Sequence, residues 1–123
     1  MEASNILIAE FMGVKTITID KLKSILKQNR EDGFISTPQA YTLDELKYDS
    51  SWDWLMPVVE KIENTNLFPT TENAINVTIG ATLYCLIQDS YGEKFEIVGQ
   101  GKTKLLSVYQ AVVEFIKEYN LNN

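Results

Sequence analysis

Three short runs of alternating character, one directly after another, constrain this chain more than any other feature. Ile75, Val77 and Ile79 alternate with Asn76 and Thr78; Leu83, Cys85 and Ile87 with Tyr84, Leu86 and Gln88; Phe95 and Ile97 with Lys94 and Glu96. Such alternation puts successive side chains on opposite faces of an extended strand. The links between the runs, Gly80-Ala81 and Asp89-Ser90-Tyr91-Gly92, are too short for the crossover that parallel pairing needs. The runs therefore predict an antiparallel meander. The middle run is apolar on both sides, which predicts at least partial cover on both faces of the sheet.

A sheet with an apolar face needs a second layer. Leu105, Leu106, Tyr109, Val112, Val113, Ile116 and Tyr119 trace an unbroken helical stripe, with Gln110, Glu114, Lys117 and Glu118 opposite, and predict a long helix over 103–120. A second helix is expected over 50–64, in the stretch that holds both tryptophans. There Trp52, Leu55, Met56, Val59 and Ile62 share a stripe flanked by Trp54 and Val58, an arc wide enough for a central helix covered from more than one side. Pro57 lacks the amide that would bond the carbonyl of Asp53, so a start near Ser51 with a distorted first turn is expected.

The first forty residues read as helix, strand and helix. Asn5–Met12 is expected to be helical, with Ser4 as N-cap and Gly13 as a left-handed terminator. Val14–Ile19 alternates like a strand able to extend the sheet, and Asp20 caps a helix at Lys21–Asn29 that ends by Gly33. Phe34–Ala40 and Phe68–Thr71 read as irregular. Thr42 and Glu45 have the spacing of a capping box. The expected architecture is a single α+β domain spanning 1–123 in two layers. A three-stranded antiparallel meander over 74–98 packs on the tryptophan helix 50–64 and the C-terminal helix 103–120, with the helix/strand/helix segment 1–40 before them.

The absence of histidine removes the commonest general base and metal ligand and every Ser-His or Cys-His pair, and argues against an enzyme. A net charge of −6 argues against a nucleic-acid backbone as partner. A lone cysteine, Cys85, excludes an intrachain disulfide and fits a reducing compartment. No apolar run is long enough to span a bilayer and no signal peptide is evident, so a cytoplasmic, non-membrane protein is expected.

Gly99-Gln100-Gly101-Lys102-Thr103 ends like a phosphate-binding loop, but the full motif needs glycine at position 96, where Glu96 would repel a phosphate. The expected reading is a turn plus helix cap. Asp44, Glu45, Asp49 and Asp53 could hold a divalent cation, yet carboxylates at helix starts are also what the helix dipole favours. Cys85 reads as a small buried hydrophobe. Among the aromatic residues, which include Tyr48, Tyr109 and Tyr119, Trp54 and Tyr91 stand out: Trp54 lies off the main stripe and Tyr91 at a turn tip. With Trp52, Tyr84, Lys94 and Lys102 they are the candidate ligand or interface residues. No catalytic residue, metal or cofactor is assigned.

Three segments carry a resemblance: Ile8-Ala9-Glu10-Phe11-Met12-Gly13, then Ser51-Trp52-Asp53-Trp54-Leu55-Met56-Pro57-Val58-Val59-Glu60-Lys61-Ile62-Glu63, and Ala111-Val112-Val113-Glu114-Phe115-Ile116-Lys117-Glu118-Tyr119-Asn120. Covering about a quarter of the chain, they resemble a family of small uncharacterised proteins found in phages and mobile elements of Bacteroidota. Family members often carry tryptophan before the closing Tyr-Asn, where this chain has Glu118. Residues 14–40 lie outside the resemblance, and it brings no binding residues with it.

What it implies is a setting, the host-cell cytoplasm, and a role: a binding module that captures a host factor or a small nucleotide signal in counter-defence. The alternative is an assembly protein forming a homo-oligomer through an apolar helix or edge strand. A third reading, an enzyme using the acidic cluster, would need a metal. A nucleotide binder should show a concave site with aromatic rings and cations drawn from Lys94, Lys102, Lys104 and Arg30. An assembly protein should show a contiguous exposed apolar patch.

Overall fold

The computed structural model describes residues 1–33, 40–64, 75–80, 83–89 and 96–122. In chain order these form α1 (Glu2–Met12), α2 (Ile19–Asp32), a 3₁₀ turn (Leu43–Glu45), α3 (Trp52–Glu63), β1 (Ile75–Ile79), β2 (Tyr84–Asp89), β3 (Glu96–Gln100) and α4 (Lys104–Asn122). The meander forms as the alternation requires, in the order β1-β2-β3 with both pairs antiparallel. Its register sets Val77 opposite Ile87 and Leu86 opposite Val98.

Ile75, Cys85, Ile87 and Gly99 turn to the helical layer and are buried. Helix α4 packs against β2, β3, α1 and α3, and Val108, Ala111, Val112, Phe115 and Ile116 are fully enclosed. Its close approach to β3 depends on one missing side chain. A Cβ on Gly99 would lie 2.3 Å from the carbonyl oxygen of Ser107 and 2.5 Å from the amide nitrogen of Ala111. Both are backbone atoms of a packed helix, so nothing larger than glycine fits without moving α4.

Helix α3 packs on β1, α4 and α1. Ser51 is its N-cap residue, and Pro57 lies inside it on the exposed side. Leu55, Val58, Val59 and Ile62 are buried, whereas Trp52 and Met56 are 37% and 38% exposed. This corrects the expected stripe: the apolar arc is wider than its cover, and the neighbours take the arc centred on Leu55 and Ile62, leaving its Trp52–Met56 end to solvent. Lys61 of α3 sits 4.6 Å above the Phe11 ring and donates to the Phe11 carbonyl, fastening α3 to the end of α1.

Gly13 ends α1 and Gly33 ends α2, each with positive φ, 73° and 78°, a backbone state that costs residues with a Cβ. Two helix starts differ from expectation. Helix α1 begins at Glu2, which places Ser4 inside it. Helix α2 begins at Ile19 because the Thr18 hydroxyl, not Asp20, caps it, accepting from the Lys21 amide at 3.2 Å. That early cap cuts short the alternation of 14–19, which makes a single parallel bridge, Thr16 with Tyr41, and no strand of the described sheet. The Ile17 amide donates to the Tyr41 carbonyl and the Tyr41 amide to the Lys15 carbonyl, both at 2.9 Å.

No side chain of α2 is buried among those described; Leu22 and Ile25 are half-covered. The segments expected to be irregular at 34–40 and 68–71, and the turn at 89–92, fall almost wholly outside the described residues. No described helix is long and apolar enough to cross a membrane.

Candidate interaction surface

With α3 and α4 on one side of the sheet, the other side is left without a helix among the described residues. Its described residues are Tyr84, half-buried Leu86 and Val98, with Asn76, Thr78, Gln88 and Gln100 around them and Glu96 as the one charge among them. Leu86 and Val98 are cross-strand partners, Val98 is 50% exposed, and Leu83 beside the start of β2 is 51% exposed. The Tyr84 ring bends over the end of β1, where a Cβ on Gly80 would come within 2.4 Å of it. The partial cover expected on both faces of β2 is full on the helical side, where Cys85 and Ile87 are buried, and slight on the other, where Leu86 and Gln88 are half-buried.

Of the candidate residues, Tyr84 lies on this face. Trp54 is half-buried, held edge-on between Tyr41 at 5.3 Å and Tyr48 at 5.2 Å between ring centroids, which makes it part of a structural cluster. Trp52 is exposed in the first turn of α3, and Lys102 is exposed in the turn before α4. Tyr91 and Lys94 lie outside the described residues. The described candidates are thus spread over three separate parts of the fold.

Gly99-Gln100-Gly101-Lys102-Thr103 is a strand-to-helix joint. The Gln100 amide donates to Oε1 of Gln110 at 2.6 Å and the Leu106 amide to Oγ1 of Thr103 at 3.1 Å. Both amides are thereby committed within the protein, and Thr103 caps α4.

The acidic residues likewise have local partners. The expected capping box forms: the Thr42 amide donates to Oε1 of Glu45 at 2.9 Å, and its hydroxyl lies 2.6 Å from Oδ1 of Asp44 and 2.8 Å from Oε1 of Glu45. The Thr42 hydroxyl holds Asp44, and the Thr42 amide holds Glu45, below the ordinary carboxylate range. Asp49 accepts from Nδ2 of Asn5 at 3.2 Å, and Oδ1 of Asn5 accepts from the Tyr109 hydroxyl at 2.9 Å. Burial pushes the Tyr109 phenol up. Asn5 was invisible as a functional group in the sequence, although it falls on the inward stripe of α1 with Ile8 and Ala9, where a polar residue signals a buried partner.

Beside this network lies a cleft of about 430 Å³ with Glu2, Asn5, Asp44 and Asp49 in its wall and Lys47 as its one basic side chain. No group of three or more carboxylate or thiol side chains among the described residues is placed to hold a metal ion. Cys85 is fully buried and its thiol is pushed up to about 11 by burial, outside the range of a nucleophile. Leu86 was foreshadowed by the apolar outer side of β2, whereas Val98 on β3 was not, since the run there ended at Ile97; alternation alone does not say which face the helices take. No protein-family model, curated protein or solved structure matches this chain.

Proposed function

We propose that this chain is a non-enzymatic binding module that works as a homo-oligomer, two copies laying their open sheet faces together. The observation that supports this is the face itself, with Tyr84, Leu86 and Val98 at its centre and Glu96 as the one charge among its described residues. At a net charge of −6 most of the surface repels a second copy, and this face does not. Two such faces stack as a sandwich roughly 10 Å apart, and a twofold axis through the centre sets Leu86 and Val98 against their equivalents. Three short strands offer less than the ~1,600 Å² of a standard interface, so a reversible, concentration-dependent dimer is expected.

The phage-type resemblance supports the setting: a counter-defence protein in the host-cell cytoplasm that captures a host factor. Capture of a nucleotide signal has less support, because the cleft beside Asn5 is walled by carboxylates. Sedimentation from low micromolar to near-millimolar protein tests the assembly. The wild type should pass from monomer to dimer, and Val98→Lys should stay monomeric with an unchanged melting temperature. A wild type that stays monomeric throughout overturns the proposal, as does a Val98→Lys protein that dimerises normally.

A further inference from the structure

We infer that the outer edge of β1, under the overhanging flank of α3, takes an extended, basic segment of a partner protein as an added strand. This surface is an edge of the sheet and not its open face, so it does not depend on self-assembly. β1 is an edge strand. The Gly80 amide donates to the Tyr84 carbonyl at 3.0 Å, and bonded and non-bonded pairs alternate along an antiparallel ladder. The register therefore commits the backbones of Asn76 and Thr78 to β2 and turns the amides and carbonyls of Val77 and Ile79 outward. Neither residue has an outward backbone partner among the described residues. Edges are ordinarily guarded by charge, proline or a covering group. β3, at the other edge, carries Glu96 and has the Gln110 side chain on the Gln100 amide. Ile75-Asn76-Val77-Thr78-Ile79 has no such guard, and its open groups fit one kind of occupant, another extended backbone.

The side chains narrow that occupant. Val77 and Ile79 face the helical layer yet are only half-buried. On α3, Lys61 reaches to Phe11 of α1, and Trp54 to Tyr41 and Tyr48. α1 packs on α4, and α4 on β2 and β3. The neighbours around α3 thus run α1, α4, β1, and the flank away from Lys61 overhangs the edge of the sheet. Trp52, Met56, Glu60 and Glu63 follow down that flank four, four and three residues apart, with Asp53 beside them. All five are exposed. Lys61, the one basic residue of α3, points the other way, and none of the three carboxylates is in an ion pair among the described residues. An added strand would lay apolar side chains against Val77, Ile79, Trp52 and Met56 and set cations at Asp53, Glu60 and Glu63. A second copy is the poorer occupant. Its β1 holds no cation, and twofold pairing of the two edges would bring two such rows of carboxylates together.

The test uses the full-length protein at low micromolar concentration and a labelled peptide in which valine alternates with threonine between terminal lysines. In the free protein the Val77 and Ile79 amides should exchange with deuterium fast and those of Asn76 and Thr78 slowly; the peptide should slow the first pair about tenfold or more. N-methylation of one alternate set of peptide amides should abolish binding, and of the other set should spare it. Glutamate in place of the terminal lysines, or Glu60→Lys with Glu63→Lys, should weaken binding about fivefold. Met56→Ser should do the same with an unchanged melting temperature. Val98→Lys should bind as the wild type does, which separates this edge from the sheet-face dimer. Val77 and Ile79 amides already protected in the free protein, or protected only as its concentration rises, would overturn the inference, because the chain itself or a second copy would then cover the edge. Equal binding of the two methylated peptides, indifference to charge reversal, or loss of binding in Val98→Lys would overturn it too.

Discussion

The hydroxyl of Tyr109 donates to Oδ1 of Asn5 at 2.9 Å, across 104 residues of chain. It joins the middle of α4 to the first helix, and Asn5 hands the connection on to Asp49. Replacing Tyr109 by Phe keeps the packing and strands the buried Asn5 oxygen. A loss of about 1–2 kcal/mol is expected, read as a lower urea midpoint with an unchanged slope.

The same tyrosine sets an alkaline limit. Burial raises the phenols of both Tyr48 and Tyr109 above their ordinary value. A group whose pKa is higher folded than unfolded binds more protons in the fold, and the buried Cys85 thiol, pushed up to about 11, is a third such group. Stability therefore holds below the ordinary thiol value, roughly 8.5, and falls as pH rises through the folded values. Urea unfolding between pH 8 and 11 should show that decline, and Tyr109→Phe should flatten it. On the acid side, Asp44 and Glu45 are lowered by Thr42. Their contribution is present above the ordinary carboxylate range and lost as pH falls through the folded values. Thr42→Val should move both titrations upward in an NMR pH series.

Gly99→Ala should be among the costliest small changes available. Its methyl group would meet backbone atoms of Ser107 and Ala111 at 2.3 and 2.5 Å, so β3 or α4 must shift. A destabilisation of about 1–3 kcal/mol or more is expected. By contrast, Gln100→Ala should cost less, since it keeps the amide that donates to Gln110.

Cys85 should report on opening of the core. With its thiol near 11, roughly one molecule in a thousand carries a thiolate near pH 8, and the residue is fully enclosed. Labelling by a disulfide reagent should be slow in the native protein and complete in seconds in strong denaturant. Fast native labelling would show that the β2–α4 contact opens readily.

Much of the fold could be read from the sequence because its signals are local. The strands follow from alternation in 75–97, α4 from its stripe, the 3₁₀ turn from Thr42 and Glu45, and two helix ends from Gly13 and Gly33. The side chains that decide the surfaces could not be read this way, because tertiary partners choose between equivalent halves of an arc. Trp52 and Val58 both lie on the apolar side of α3, and only the placement of β1, α1 and α4 leaves Trp52 exposed and Val58 buried. The outer face of β2 looked as apolar as the inner one, and the covered side was the one where Gly99 and Ala111 let a helix come close. At 14–19 a strand pattern competed with a Thr18 cap, and the cap won.

The bridge between Thr16 and Tyr41 turns the segment that carries α2 into a cassette whose two ends lie side by side. The chain leaves the body at Ile17 and returns alongside at Tyr41, with both ends pinned by hydrogen bonds of 2.9 Å. Neighbouring strands lie only about 5 Å apart, so a handful of glycine and serine residues could close the gap if the cassette were cut out. Among the described residues, the main contacts of α1, α3, α4 and the sheet are made with one another and not with α2. A protein wired in this way can lengthen, shorten or exchange one arm over generations while its framework stays as it is.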